Sequence, residues 1–208
     1  MTSKYLRRYT DLPALIYLLT ERKLTLLDPQ AWDDGNDSYY LSLYRVKKGL
    51  RSVLALCFTQ GDEAYHHWRV FAPGPAGICV RFTRERLLKA VKDEPGVRIG
   101  SVRYLKLLEL RDLEPRVRDL PLLNRYAFEH ENEFRVIYES KTKRLASLDV
   151  HLPLSAIDRI TLSPWIPADL SIHVKATIRS IRGCSNLTVV RSTLIGSDEW
   201  KSLGESAV

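Results

Sequence analysis

Runs of β-forming residues recur along this chain at irregular intervals, without a helix between each pair. Residues 53–59, 77–82, 97–105 and 133–139 are dense in β-branched, aliphatic and aromatic side chains, and shorter runs follow at 148–152, 157–162 and 187–194. A doubly wound parallel sheet needs strands and helices in regular alternation, and that rhythm is missing. The pattern predicts an α+β protein with a mostly antiparallel β-sheet, open to being split, and a few packed helices.

Helical signals fill some of the gaps. Asp11 can cap a helix on which Leu12, Leu15, Ile16 and Leu19 share a face, after an opening strand over 5–9. Thr83 stands where it could cap a helix over 83–91, with Leu87, Leu88 and Val91 turned inward. Residues 66–71 suit a short helix, and Leu170, Val174, Ile178 and Ile181 mark another that Gly183 closes. The stretch 32–37 is so rich in Asp, Asn and Gly that it is expected to be a loop, and 107–123, broken by Pro115 and Pro121, is left as helix or loop. With 208 residues and 45% hydrophobic content, one core is expected. The domain is assigned to 1–195, with 196–208 as a polar tail that frays.

No run approaches the length of a membrane span, and the opening segment lacks the apolar centre of a secretion signal, so the chain is expected to be soluble and cytoplasmic with no membrane partner. Cys57, Cys79 and Cys184 are odd in number, and two lie within apolar runs, which suits reduced core thiols. With no paired Cys-x-x-C and no His-x-x-x-His, no metal site is assigned. Neither of the two commonest nucleotide-binding glycine loops is present. The net charge of +7 favours anionic partners, although the basic residues are scattered.

The segment most able to carry chemistry runs from Phe128 to Ile137. On a strand, Glu131, Glu133 and Arg135 project from one face about 6.5 Å apart, while Phe134 and Val136 turn to the core. If that face lines a cleft, repulsion raises one carboxylate's proton affinity and Arg135 holds the other ionised. If it is wet, the same residues form a salt-bridge ladder of little consequence. Asp33, Asp34 and Asp37 are taken as a solvated turn, and the adjacent His66 and His67 as a poor metal pair.

In order along the chain, Arg8-Tyr9, Trp32-Asp33-Asp34, Cys57-Phe58-Thr59, Trp68-Arg69-Val70-Phe71, Gly77-Ile78-Cys79-Val80-Arg81-Phe82 and Glu131-Asn132-Glu133-Phe134-Arg135 resemble the motifs of a bacterial domain-of-unknown-function family. The same order of a basic residue on the first strand, Ser or Thr after a middle strand, then Glu-x-Glu, looks like that of ADP-ribosyltransferases, including the DarT type that modifies nucleic acid. This second resemblance implies a split-sheet cleft for NAD. Within it, Arg8 would grip ribose or pyrophosphate, Tyr9 or Trp68 would stack on nicotinamide, and Thr59 and Arg135 would complete the cofactor-binding set. Glu133 would support the ribosyl cation, with Glu131 orienting the acceptor or acting as base. It further implies a toxin or antiviral-defence setting and a nucleic-acid or protein acceptor. The alternative is a non-catalytic module that holds nucleic acid or protein on its basic surface, and a metal-dependent nuclease using Asp33, Asp34 and Glu131 ranks behind both.

Overall fold

The computed structural model describes residues 3–205; positions 1, 2 and 206–208, which include the end of the expected tail, lie outside the described residues. Among the described residues eleven strands and seven α-helices follow one another irregularly. They are β1 (Tyr5–Asp11), α1 (Leu12–Glu21), β2 (Lys23–Leu27), α2 (Gly35–Lys47), β3 (Ser52–Thr59), α3 (Tyr65–Phe71), β4 (Gly77–Thr83), α4 (Arg84–Lys92), β5 (Val97–Ser101) and β6 (Arg103–Leu105). Then come α5 (Leu107–Leu113), β7 (Leu123–Arg125), β8 (Glu133–Ser140), β9 (Ser147–His151), β10 (Ile157–Leu162), α6 (Ala168–Ser180), β11 (Val189–Arg191) and α7 (Asp198–Glu205). Nine strands form one sheet in which every neighbour pair is antiparallel except β10 with β11, while β6 and β7 make a separate parallel ribbon.

The sheet splits beside β3. One edge of β3 pairs with β8 along its whole length, from Ser52↔Ser140 to Thr59↔Glu133. Its other edge meets β1 at Arg7↔Thr59 and β2 at Leu27↔Ala55, and at no further register pair among the described residues. β1 is committed instead to β4, from Tyr5↔Thr83 to Asp11↔Gly77. Between the two points of contact the Cys57 carbonyl receives no strand partner and accepts a hydrogen bond from Arg8 Nη1 at 3.4 Å.

Alternation along the strands sends the larger apolar set to one face. There Leu6, Leu56, Phe58, Val80, Phe82, Phe134 and Val136 pack beneath α1, α4 and α6 to form the main core. The opposite face is covered in two halves. α2 lies over the β3–β8 half, where Leu41 and Tyr44 pack on Val53, Ala55 and Ile137. α3 lies over the β1–β4 half, where Trp68 and Ala72 pack on Tyr9 and Cys79. The split in the sheet falls between these two helices.

Several elements depart from the sequence expectation. The Asp-rich stretch does not end as a loop: Asp34 accepts from the Asn36 N–H at 3.0 Å and starts α2, which runs thirteen residues. Composition hid it because its apolar face is built from Leu and Tyr between polar residues. The expected strand over 97–105 is broken at Val102 into β5 and β6, which enter different sheets, and the strand over 187–194 shortens to three residues. Asp11 caps α1 as the spacing implied, accepting from the Ala14 N–H at 2.8 Å, whereas Thr83 precedes α4 without a side-chain cap. α7 gives helical structure to much of the segment assigned as a tail. No helix among the described residues is long and apolar enough to cross a membrane.

Candidate active site

A hollow of about 240 Å³ opens where the sheet splits, floored by β1 and β3, walled by α3, and closed by the turn that enters β8. Glu131 and Glu133 lie on one side of it, Arg8, Tyr9 and Thr59 on its floor, and His67 and Phe71 on the α3 side. The pleat puts Arg7, Tyr9, Thr59, Glu133 and Arg135 on one face, because Arg7 stands opposite Thr59 and Thr59 opposite Glu133. Arg8 belongs to the other face, beside Leu15, Leu18 and Val80. It reaches the hollow because no strand fills the gap beside Cys57.

The two glutamates arrive by different routes. Glu133 is the first residue of β8, and its N–H donates to Tyr104 Oη at 2.9 Å. Glu131 ends a short 3-10 turn, and Asn132, at φ 44°, separates it from the strand in the left-handed region. Asparagine tolerates that conformation better than most side chains. Glu131 therefore approaches the hollow from a turn, and the expected three-residue strand face begins only at Glu133.

Arg135 is 0% exposed and sits under α2. Its Nη1 and Nη2 donate to Asp37 Oδ1 and Oδ2 at 2.8 and 2.5 Å, its Nε donates to Glu133 Oε2 at 3.1 Å, and Nη1 reaches the Pro121 carbonyl at 3.2 Å. Its guanidinium lies 5.3 Å from the Trp32 ring centre. The role in ligand binding assigned to Arg135 is therefore corrected: every polar edge of the guanidinium is turned into protein, and what it grips is the carboxylate of Glu133. Trp68 is corrected as well. It is 0% exposed, and its indole N–H donates to Glu63 Oε1 at 2.8 Å, so it is core and offers no face for stacking.

The electrostatics separate the carboxylates. Burial, then the neighbouring charge of Glu133, pushes Glu131 up to about 8 against the opposing pull of Arg135. Its carboxyl accepts no hydrogen bond among the described residues, so nothing favours its ionised form except that cation. Asp37 is pushed up to about 6, mainly by burial and in spite of Arg135. Burial also drives the Cys57 thiol well above its usual range, which makes it a poor nucleophile.

His67, set aside in the sequence as one of an unpromising pair, lines the hollow and is 3% exposed; its Nε2 lies 3.2 Å from the His130 carbonyl, while Nδ1 is buried without a partner. Tyr9 Oη is likewise buried and unpartnered. Phe71, whose spacing from Trp68 suggests a core position, is instead 43% exposed and presents its ring to the hollow. Strand alternation would have found Arg7, which shares a face with Tyr9, but its guanidinium is spent on Asp62 at 2.7 Å and on the Gly61 carbonyl. Asp33 and Asp34 stay with the start of α2, and among the described residues no group of three or more His, Cys, Asp or Glu is placed to hold a metal ion.

In class this is an α+β protein whose split antiparallel sheet presents a carboxylate held by a buried guanidinium, with a second, proton-retaining carboxyl beside it. No protein-family model matches the chain, and no curated protein matches it in sequence. Among solved structures it is similar to DarT from Thermus sp. 2.9 in complex with carba-NAD+, at 10% identity and a TM-score of 0.47 over 92% of this chain and 97% of that one. The complexes of the same DarT with NAD+ (10% identity, TM-score 0.46, 92% and 96% covered) and with ADP-ribosylated ssDNA (10% identity, TM-score 0.47, 91% and 94% covered) are similar to the same degree.

Proposed function

We propose that the chain consumes NAD and transfers ADP-ribose to a nucleic-acid or protein acceptor, in a toxin or antiviral-defence setting. One observation carries the reading: Glu133, Glu131, Arg8, Tyr9 and Thr59, distant in sequence, border a single hollow at the split of the sheet. The residues present suit the substrate. Arg8 supplies a cation for ribose or pyrophosphate oxygens, Phe71 and Tyr9 supply ring surface, and the orphaned Tyr9 Oη and His67 Nδ1 are polar atoms beside the hollow that still need partners.

In this reading Glu133 faces the ribosyl carbon. The bond from that carbon to nicotinamide breaks, nicotinamide leaves neutral with the bonding electrons, and the acceptor's nucleophilic atom bonds to the carbon and gives up its proton. A fixed carboxylate lowers the barrier by meeting charge that exists only as the bond breaks. Arg135 is a positioning residue: its Nε and Nη2 both donate to Glu133 Oε2 and anchor that carboxylate at the edge of the hollow. Glu131 retains its proton near neutrality, so it acts there as a hydrogen-bond donor and becomes a base for the acceptor's proton only as the pH approaches 8. The net charge of +7 draws an anionic acceptor.

Calorimetric titration with NAD, paired with nicotinamide release by wild type and Glu133→Gln, tests the reading. Binding, with release abolished in a variant that melts like wild type, is expected. No NAD binding at millimolar concentration ends it. A basic-surface module would instead bind oligonucleotide with a steep salt dependence that Glu133→Gln leaves unchanged.

A further inference from the structure

Behind Arg135 lies a second and larger hollow, about 300 Å³, between the first turn of α2, the β6–β7 ribbon and α5. Its polar lining comes from two places, Asn36 and Asp37 on α2 and Asn124 and Arg125 on β7. Leu107, Leu110 and Leu123 give it aliphatic walls and Tyr40 a ring, while Asp37 lines it from α2 and Arg125 from β7. Leu107 is 61% exposed beside a space that its own side chain does not fill. A hollow with an apolar lining and few polar groups is the usual form of a small-molecule site, and this volume is at the lower end for one.

Asp37 is shared between this hollow and the interior. Each of its oxygens takes one N–H from Arg135, and an ionised carboxylate can accept about four, so each keeps room for a donor from the other side. The same guanidinium holds Glu133, which lines the candidate active site. We propose that the second hollow binds a flat, largely apolar heteroaromatic ring carrying an N–H donor, and that its occupancy is felt at Glu133 through Asp37 and Arg135. A donor arriving on Asp37 draws carboxylate charge away from Arg135 and tightens the guanidinium on Glu133. By linkage, whatever tightens Arg135 on Glu133 strengthens the ring's binding in turn. Binding at this hollow and its coupling to Glu133 go beyond the proposed reaction.

Benzimidazole, and N-methylbenzimidazole as its partner without a donor, test this on the full chain. Titration followed by NMR is expected to give benzimidazole binding in the millimolar range or tighter, with the methylated ring about tenfold weaker, the loss expected for one N–H to a carboxylate. Leu107→Ala, at an exposed position that the fold does not need, weakens binding severalfold, and Leu110→Trp, which fills the hollow, abolishes it. The buried Arg135 Nε–H resonance, identified by its loss in Arg135→Lys, moves on saturation. Absence of binding at millimolar benzimidazole, equal binding of the methylated ring, indifference to Leu107→Ala, or an Arg135 resonance that stays still while the ring binds would each overturn the proposal. No readout involves NAD, so failure here leaves the proposed reaction standing, and failure of that reaction leaves this site standing.

Discussion

Replacing Arg135 by methionine removes a cation shared by the buried Asp37 and the partly buried Glu133, and the cost can be worked from its contacts. Arg135 is 0% exposed, and in the variant Asp37 loses donors at 2.8 and 2.5 Å while Glu133 Oε2 loses two, Nε at 3.1 Å and Nη2. Breaking a buried pair from one side typically costs about 3–5 kcal/mol, because the partner left behind keeps its desolvation penalty without compensation. For a domain of this size that is a fall in Tm of roughly 6–20 °C. The sign with pH follows from Asp37. Its folded-state value of about 6 already lies above the ordinary carboxylate value, so its contribution to stability is fully present at low pH and is lost as pH rises through about 6. Without the guanidinium Asp37 titrates higher still, so the deficit of Arg135→Met is greatest above pH 7 and shrinks toward pH 5. Urea unfolding of both proteins across that range reads it directly. Adding Asp37→Asn and Glu133→Gln to the variant is expected to recover at least half of the loss, since no uncompensated charge then remains. A deficit below about 1 kcal/mol at pH 7.5, the level of an exposed ion pair, refutes the reasoning. So does a deficit of constant size from pH 5 to 8.

Four further outcomes are expected. Glu131→Gln removes an acid pushed up to about 8, whose contribution to stability is lost as pH rises through that value, so the variant gains a few degrees in Tm over wild type at pH 8.5 and nothing near pH 5, read by thermal melts. If the transfer reaction is as proposed, kcat/KM for transfer rises with pH through about 8 in wild type, and the rise disappears in Glu131→Gln while nicotinamide release persists. Trp68→Phe keeps most of the buried ring but takes from Glu63 Oε1 one of its two donors, the other being the Ser192 hydroxyl, costing roughly 1–3 kcal/mol in urea melts with NAD affinity unchanged; a selective loss of affinity would return Trp68 to the site. Gly77→Ala places a Cβ 2.2 Å from the Ala72 carbonyl oxygen, a backbone atom that cannot swing aside, so the chain is expected to lose several kcal/mol or to fail to accumulate as folded protein.

The sequence carried the class of fold because strand runs without intervening helices exclude a doubly wound sheet, and alternation alone put Phe134 and Val136 in the core opposite Glu133 and Arg135. It did not carry α2. Thirteen residues from Gly35 to Lys47, with an apolar side of Leu41 and Tyr44 and a polar remainder, look like a continuation of the Asp-rich turn until Asp34 is seen to cap them. Losing α2 meant losing Asp37, and with it the reason Arg135 is buried. A guanidinium on a strand two residues after a glutamate looks like part of a ligand-facing surface, and only a helix crossing above it, bringing a carboxylate 98 positions away in the chain, turns it inward. Trp68 failed for a related reason: a helix over 66–71 says nothing about which of its rings faces the sheet, and the 2.8 Å bond to Glu63 settles that in favour of the core.

Arg8 shows why the candidate site depends on the split rather than on any one motif. Pleating sends Arg8 to the face opposite Tyr9, Thr59 and Glu133, so in a continuous sheet it could not join them. Because β1 leaves β3 after a single pair, the edge beside Cys57 is open, and the guanidinium turns into the gap to meet the carbonyl at 3.4 Å. That long hydrogen bond is weak and neutral on its acceptor side, so an anionic ligand can outbid it. The consequence is specific to geometry: Arg8→Lys keeps the charge but loses the planar fork needed to reach a carbonyl and a ligand oxygen together, and NAD affinity is expected to fall about tenfold while Tm changes by only a degree or two. A variant that melts far below wild type would mean that Arg8 serves chiefly to close the sheet, and the hollow would then have no basic residue free to bind.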